Sequence, residues 1–159
     1  MKFEPQKEHQ WLQQLVGEWT WETDASTDPE CPAGATRGRE TVRALGDLWI
    51  VAEGHGDLSG GGQGGTLMTL GYDPKKERFV GTWVGSMMPN LWVYEGSLDA
   101  NKRILNLDSE GPAMTGEGRG KYRDVIELVA DDRRTFSGHA LQPDGTWRQL
   151  MRMHYRRVR

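Results

Sequence analysis

The stretch Thr66-Leu67-Met68-Thr69-Leu70-Gly71-Tyr72-Asp73-Pro74-Lys75-Lys76-Glu77-Arg78-Phe79-Val80-Gly81-Thr82-Trp83-Val84-Gly85-Ser86 decides the fold. Two runs rich in Thr, Val, Tyr and Trp, 66–73 and 78–86, flank Asp73-Pro74-Lys75-Lys76, whose residues reverse a chain. A tight turn makes its two strands antiparallel neighbours. In the second run Phe79, Gly81, Trp83 and Gly85 share one face, and the two glycines there permit sharp bending or close approach of another backbone. The sheet built from such hairpins is curved.

The same grammar extends in both directions. Strands are expected near 17–24, 36–45, 47–57, 66–73, 78–86, 90–98, 103–110, 119–130, 134–142 and 145–156, about ten in all. Further reversals fall at Asp99-Ala100-Asn101-Lys102, Asp131-Asp132-Arg133 and Pro143-Asp144-Gly145. No long helix lies between strands to act as a crossover, so a parallel sheet has no connections to build it. Closing the meander removes both exposed edges. The fold class is therefore all-β, a single antiparallel up-and-down barrel filling one domain over 1–159, with the barrel proper over 17–156. The exception is a short helix over 6–16, with Trp11, Leu12, Leu15 and Val16 on one stripe and Gly17 to end it. On the last strand Trp147, Gln149, Met151, Met153 and Tyr155 alternate with Arg148, Leu150, Arg152, His154 and Arg156, and the first set is expected to face inward.

Composition narrows the partners. The net charge is -3 with both signs scattered along the chain, which offers no positive field for nucleic acid or an anionic membrane. No apolar run spans a bilayer and the opening residues lack a signal-peptide core, so a cytoplasmic location is expected. Cys31, the one cysteine, has no intrachain partner and lies in Asp-Pro-Glu-Cys-Pro, read as a loop.

A series of short motifs runs through most of the chain: His9-Gln10-Trp11-Leu12, Leu15-Val16-Gly17-Glu18-Trp19, Gly71-Tyr72-Asp73, Gly81-Thr82-Trp83 before Ser86-Met87, Glu95-Gly96 and Tyr155-Arg156. In order and spacing they resemble the bacterial domain-of-unknown-function family fifteen-seventy-nine. The resemblance implies a calycin-like barrel, related in shape to lipocalins, fatty-acid-binding proteins and nitrobindin-type haem barrels, and it implies no established activity. Gly85 stands where that family usually has Asp, which weakens an acid-base role there. Thr20-Trp21-Glu22 replaces the glycine-rich opening of nitrobindin-like barrels, which argues against haem. No cofactor is expected.

Candidate site residues fall into three groups. Trp83, Met87, Met88, Trp92 and Tyr94 concentrate large polarizable side chains on two strands and their connection, and serve either as barrel filling or as walls for an apolar ligand. Met151 and Met153 join them from the last strand. Glu53 and His55 share a face with Trp49 and Val51, which suits polar selection of a ligand, a base pair, or two ligands of a metal lacking the rest of its set. Arg123 makes a carboxylate or phosphate clamp if it faces inward; Tyr122, Ile126 and Leu128 alternate against Val125 and Val129, which leaves its side open. Glycine-rich 54–65 reads as a mobile hairpin loop, because it lacks the Gly-Lys-Ser/Thr and the helix of a phosphate loop. No Gly-x-Ser-x-Gly elbow exists, and no catalytic or metal residue is assigned. The leading expectation is a binding barrel for a small apolar or amphipathic ligand; a homodimeric interaction module and an enzyme using Glu53 and His55 are the alternatives.

Overall fold

The computed structural model describes residues 2–25 and 34–158; Cys31 and the segment around it that the sequence reads as a loop lie outside them. Helix α1 (Lys7–Gln13) is followed by β1 (Gly17–Thr23), β2 (Arg37–Leu45), β3 (Trp49–Asp57), β4 (Gln63–Asp73), β5 (Arg78–Gly85), β6 (Met88–Leu98), β7 (Ile104–Pro112), β8 (Arg119–Ala130), β9 (Arg133–Leu141) and β10 (Trp147–Val158). Every strand pairs antiparallel with its chain neighbour, and β1 pairs with β10 from Glu18↔Val158 to Thr23↔Met153. Ten strands thus close into an up-and-down barrel with no free edge at the seam.

Helix α1 closes one end. Trp11, Leu12 and Leu15 are buried with Phe79, Leu105 and Trp19 in the core cluster. Trp11 Nε1 donates to Lys102 O at 2.7 Å, and His9 bridges to Tyr72 O at 3.0 Å. Arg157 fastens the plug to the last strand: its guanidinium lies 4.3 Å from the Trp19 ring and donates to Val16 O at 2.6 Å, Gln14 O at 2.7 Å and Asp131 O at 3.1 Å. Gly17 makes room for it, since a Cβ there meets Arg157 Nη1 at 2.4 Å and the residue's φ is 146°. Arg157→Met is expected to lower the unfolding free energy by about 2 kcal/mol, because three carbonyls and a stacked ring lose one cation; urea denaturation measures it.

Three expectations change on physical grounds. The helix stops at Gln13, since Leu15 N–H bonds Leu12 O and Val16 N–H bonds Gln13 O, each three residues back, which tightens the chain into β1. Most of the glycine run is not a loop. Gly54 and Gly56 lie in β3, Gly64 and Gly65 in β4, and only 58–62 connects them. At Gly56 and its partner Gly38 the cause is Trp21, whose ring approaches to 2.3 Å of a Cβ built on Gly38 and 2.4 Å of one on Gly56, so only glycine lets those paired strands pass it. Finally, a bulge between Gln149 and Met151 breaks the alternation of β10. Met151, Met153 and Tyr155 keep the inward parity of their partners Gly138, Phe136 and Arg134, whereas Trp147 and Gln149 turn outward.

Candidate functional site

Register across the sheet fixes which residues enter the barrel. Inward positions run Glu40 and Val42 on β2, Ile50 and Ala52 on β3, Met68 and Leu70 on β4, Gly81 and Trp83 on β5, Trp92 and Tyr94 on β6, Asp124 and Ile126 on β8, and Arg134 and Phe136 on β9. Beyond the core layer beside α1 these side chains leave a cavity of about 110 Å³. Met68, Trp83, Phe136, Met151 and Met153 form its apolar wall, with Thr66, Glu40, Arg134 and Tyr155 as polar members. Methionine suits such a wall because its unbranched thioether adapts to the shape it meets.

Arg134 and Glu40 form the polar centre. Arg134 Nη2 donates to Glu40 Oε1 at 2.5 Å, and the two side chains are only 3% and 13% exposed, so the pair lies largely out of water. The guanidinium is flanked by aromatic faces, 3.9 Å from the Tyr155 ring centre and 4.6 Å from that of Trp19. Burial and the nearby Glu40 carboxylate push the Tyr155 hydroxyl well above the ordinary phenol range, so it stays protonated. Arg134 Nε is buried, and among the described residues it meets no hydrogen-bond acceptor.

A second polar pair crosses the interior from β6 to β8, where the Tyr94 hydroxyl donates to Asp124 Oδ2. Burial pushes the Asp124 carboxyl up to about 6, against the opposing pull of the Tyr94 hydrogen bond. Tyr94 itself is pushed well up, first by burial and then by the Asp124 charge.

Of the residues singled out in the sequence, Trp83, Met151 and Met153 line the cavity together. Tyr94 also faces inward, where it serves Asp124. Trp92 faces inward beside Trp83, its ring against Gly111 and edge-on to Tyr122 at 5.2 Å. Met87 sits exposed in the β5–β6 hairpin with its sulfur against Gly85, and Met88 Sδ accepts the Trp92 Nε1 hydrogen at 3.2 Å. Trp49, Glu53 and His55 share a face, as their spacing requires, but it is the outer one: Ile50, Ala52 and Gly54 carry the inward parity of β3. Glu53 and His55 are exposed and line neither the cavity nor the groove described below.

Arg123 also faces outward. Its Nε donates to Asp108 at 2.7 Å and its guanidinium lies 4.6 Å from the Trp147 ring centre, so it braces the outer wall and is no interior clamp. No histidine lines the cavity. His9 is held at the helix end, His55 and His139 project from the outer face, and His154 pairs outside with Asp24 at 3.7 Å. Among the described residues no group of three or more His, Cys, Asp and Glu is placed to hold a metal ion.

Sequence reasoning missed Glu40, Arg134 and Asp124. A signal was available, because each stands two residues before a large apolar residue of its strand, Val42, Phe136 and Ile126, and so shares its inward face.

The barrel wall also carries an open groove of about 610 Å³. It arises where β6 and β7 part, since they pair only over Glu95–Leu98 against Leu105–Asp108. Leu91, Val93 and Trp147 give it apolar surface, while Glu95, Asp108, Glu110, Arg119 and Lys121 give it charges of both signs. Apart from buried Ser109 and half-buried Tyr122 its residues face solvent, and a small ligand there keeps much of its surface wet, unlike one held in the barrel.

A closed up-and-down barrel, plugged by a helix and carrying an apolar cavity with a buried ion pair, is of the calycin-like class. The chain belongs to the family described as "Protein of unknown function (DUF1579)", whose model matches residues 4–157. Among solved structures it is similar to the crystal structure of Rv2717c from M. tuberculosis, with 13% identity and a TM-score of 0.61 over 98% of this chain and 100% of that one. EF1p2_mFAP2b bound to DFHBI follows at 11% identity and a TM-score of 0.49, over 96% of this chain and all 100% of that one. A redesigned beta barrel, b11L5F_LGL, has 10% identity and a TM-score of 0.47, over 96% of each chain. At 13% identity the likeness to Rv2717c speaks to the fold alone. No curated protein matches the chain. No described helix is long and apolar enough to cross a membrane.

Proposed function

We propose that the protein binds a small, largely apolar molecule inside its barrel. The observation that carries this reading is the cavity of about 110 Å³ walled by Met68, Trp83, Phe136, Met151 and Met153, with a buried cation and carboxylate in the same wall. Cores usually pack to crystal-like density, and a charged pair at the edge of an interior void is costly unless something besides packing retains it. Trp83, Met151 and Met153 are walls in this reading; Tyr94 and Trp92 support the chamber from β6, and Met87 overhangs the β5–β6 turn. Trp49, Glu53, His55 and Arg123 take no part in it.

A self-association reading has its own support. Leu67, Val84, Leu91 and Val93 stand exposed on the outer face of β4–β6, at 37%, 39%, 60% and 57%, and Leu67 and Val84 are direct cross-strand partners. An apolar outer face of this kind fits a second copy of the chain.

One experiment separates the two. Native mass spectrometry of protein purified gently from its own cells, compared with the denatured sample, is expected to reveal a monomer carrying a small-molecule adduct that denaturation releases. A bare dimer transfers the function to the outer face, and a bare monomer leaves neither tight retention nor stable pairing.

A further inference from the structure

The parting of β6 from β7 leaves two strand edges facing each other without a ladder. Their pairing holds four residue pairs, Glu95–Leu98 against Leu105–Asp108, although β6 runs back to Met88 and β7 on to Pro112. On their other sides both strands stay paired, β6 with β5 as far as Gly85↔Met88 and β7 with β8 as far as Pro112↔Arg119. Each therefore turns one edge of main chain toward the gap. Among the described residues a single hydrogen bond reaches this stretch of main chain from a side chain, the Tyr122 hydroxyl donating to Pro112 O at 2.5 Å. A row of N–H and C=O groups outside any ladder is a template for another strand.

The side chains around the gap suit an extended chain. Ser109 and Tyr122, which point inward, line the groove together with outward Asp108, Glu110 and Lys121, so it cuts into the wall. Trp92 floors it from within, edge-on to Tyr122 at 5.2 Å and with its ring where a Cβ on Gly111 would collide. Leu91 and Val93 form an apolar margin, 60% and 57% exposed. From Leu91 to Glu95 the strand runs about 13 Å, the length of about four or five residues of a segment laid beside it.

Charge sets the direction of that segment. Glu95 is paired with Lys76 at 3.2 Å and Asp108 with Arg123 at 2.7 Å. Glu110 and Lys121 are cross-strand partners of opposite sign. Arg119 is left over: it is exposed, stands opposite Pro112 at the end of the groove away from Glu95, and makes no ion pair among the described residues. A terminal carboxylate placed at Arg119 makes the segment run antiparallel to β6, the more stable sense of pairing.

We propose that the gap between β6 and β7 docks the extended C-terminal segment of another polypeptide, which adds main-chain hydrogen bonds to the open edges, lays apolar side chains on Leu91, Val93 and Trp92, and sets its terminal carboxylate at Arg119. This site is separate from the barrel interior, and neither reading depends on the other.

The test titrates 15N-labelled protein with the peptide acetyl-Lys-Val-Thr-Val-Val in four forms: the free acid, the C-terminal amide, and two free acids N-methylated at one or the other alternating set of peptide bonds. The free acid is expected to move the amide signals of Asn90 to Val93, Glu110 and Gly111 and to slow their exchange with solvent. The C-terminal amide is expected to bind about threefold more weakly, and at least one methylated form about tenfold or more weakly. In Arg119→Gln, a change at an exposed position, free acid and amide are expected to bind alike.

Equal binding of the parent peptide and both methylated forms overturns strand addition. A preference for the free acid that survives Arg119→Gln overturns the seat of the carboxylate and with it the direction of the segment. If no form of the peptide moves those signals, the gap is not a docking site. If the same amides are protected in the protein alone and lose that protection on dilution, a second copy of the chain covers the edges and the separate polypeptide is excluded.

Discussion

Arg134→Met is expected to lower the unfolding free energy by about 3–5 kcal/mol, whereas Glu40→Gln combined with Arg134→Met recovers most of that loss. The single substitution strands the Glu40 carboxylate, only 13% exposed, without the cation 2.5 Å away that compensates it. It also removes the guanidinium between the Trp19 and Tyr155 rings, so two aromatic faces lose their cation. Most of the cost comes from the uncompensated charge. Neutralising Glu40 as well removes that charge, and Met restores volume and apolar contact in a wall already rich in methionine. Chemical denaturation of both variants at neutral pH provides the measurement. If the double variant is as unstable as Arg134→Met, the stability resides in stacking and packing of the guanidinium, and the buried ion pair is not its source.

The barrel was legible because its evidence is local. Asp73-Pro74-Lys75-Lys76 reverses the chain, the inward parity of Phe79, Gly81, Trp83 and Gly85 holds as the alternation requires, and the motif series from His9 to Arg156 points to the family whose model matches 4–157. The interior was legible only in part. Alternation tells which residues of a strand share a face but not which face is inside, so Glu53 and His55 were correctly grouped and wrongly sided. Val51 misleads there, being buried on the outer face. The β10 bulge is invisible to a period-2 reading, and one extra residue at Leu150 sends Trp147 outward while Met151 stays inside. Glu40 and Arg134 lie 94 residues apart, and nothing local in either strand announces their meeting. The glycines are the instructive case: Gly56, within the glycine-rich 54–65, has loop composition, but it and its cross-strand partner Gly38 are strand positions emptied for the ring of Trp21.

The remaining large effect is one of pH. Asp124 has an ordinary carboxyl value of 3.8, and burial raises it to about 6 in the folded barrel. Its neutral form is thus the one the fold prefers, and the contribution it makes is complete below the unfolded value and lost as pH rises through the folded one. Between those values the native state binds more protons than the unfolded chain, so the unfolding free energy falls with increasing pH, by at most about 3 kcal/mol. Other groups titrate in the same range, so the informative quantity is the difference between the protein and Asp124→Asn. The amide still offers an oxygen to the Tyr94 hydroxyl and carries no charge at any of these values. At pH 4 the two proteins are expected to be nearly equal in stability; at pH 8 the Asn variant is expected to be the more stable by about 2 kcal/mol or more. A difference unchanged between pH 4 and pH 8 means that Asp124 ionises inside the barrel without penalty. The Tyr94 hydrogen bond would then suffice to hold a carboxylate there, and the interior around β6 and β8 would have to be wetter than its packing implies.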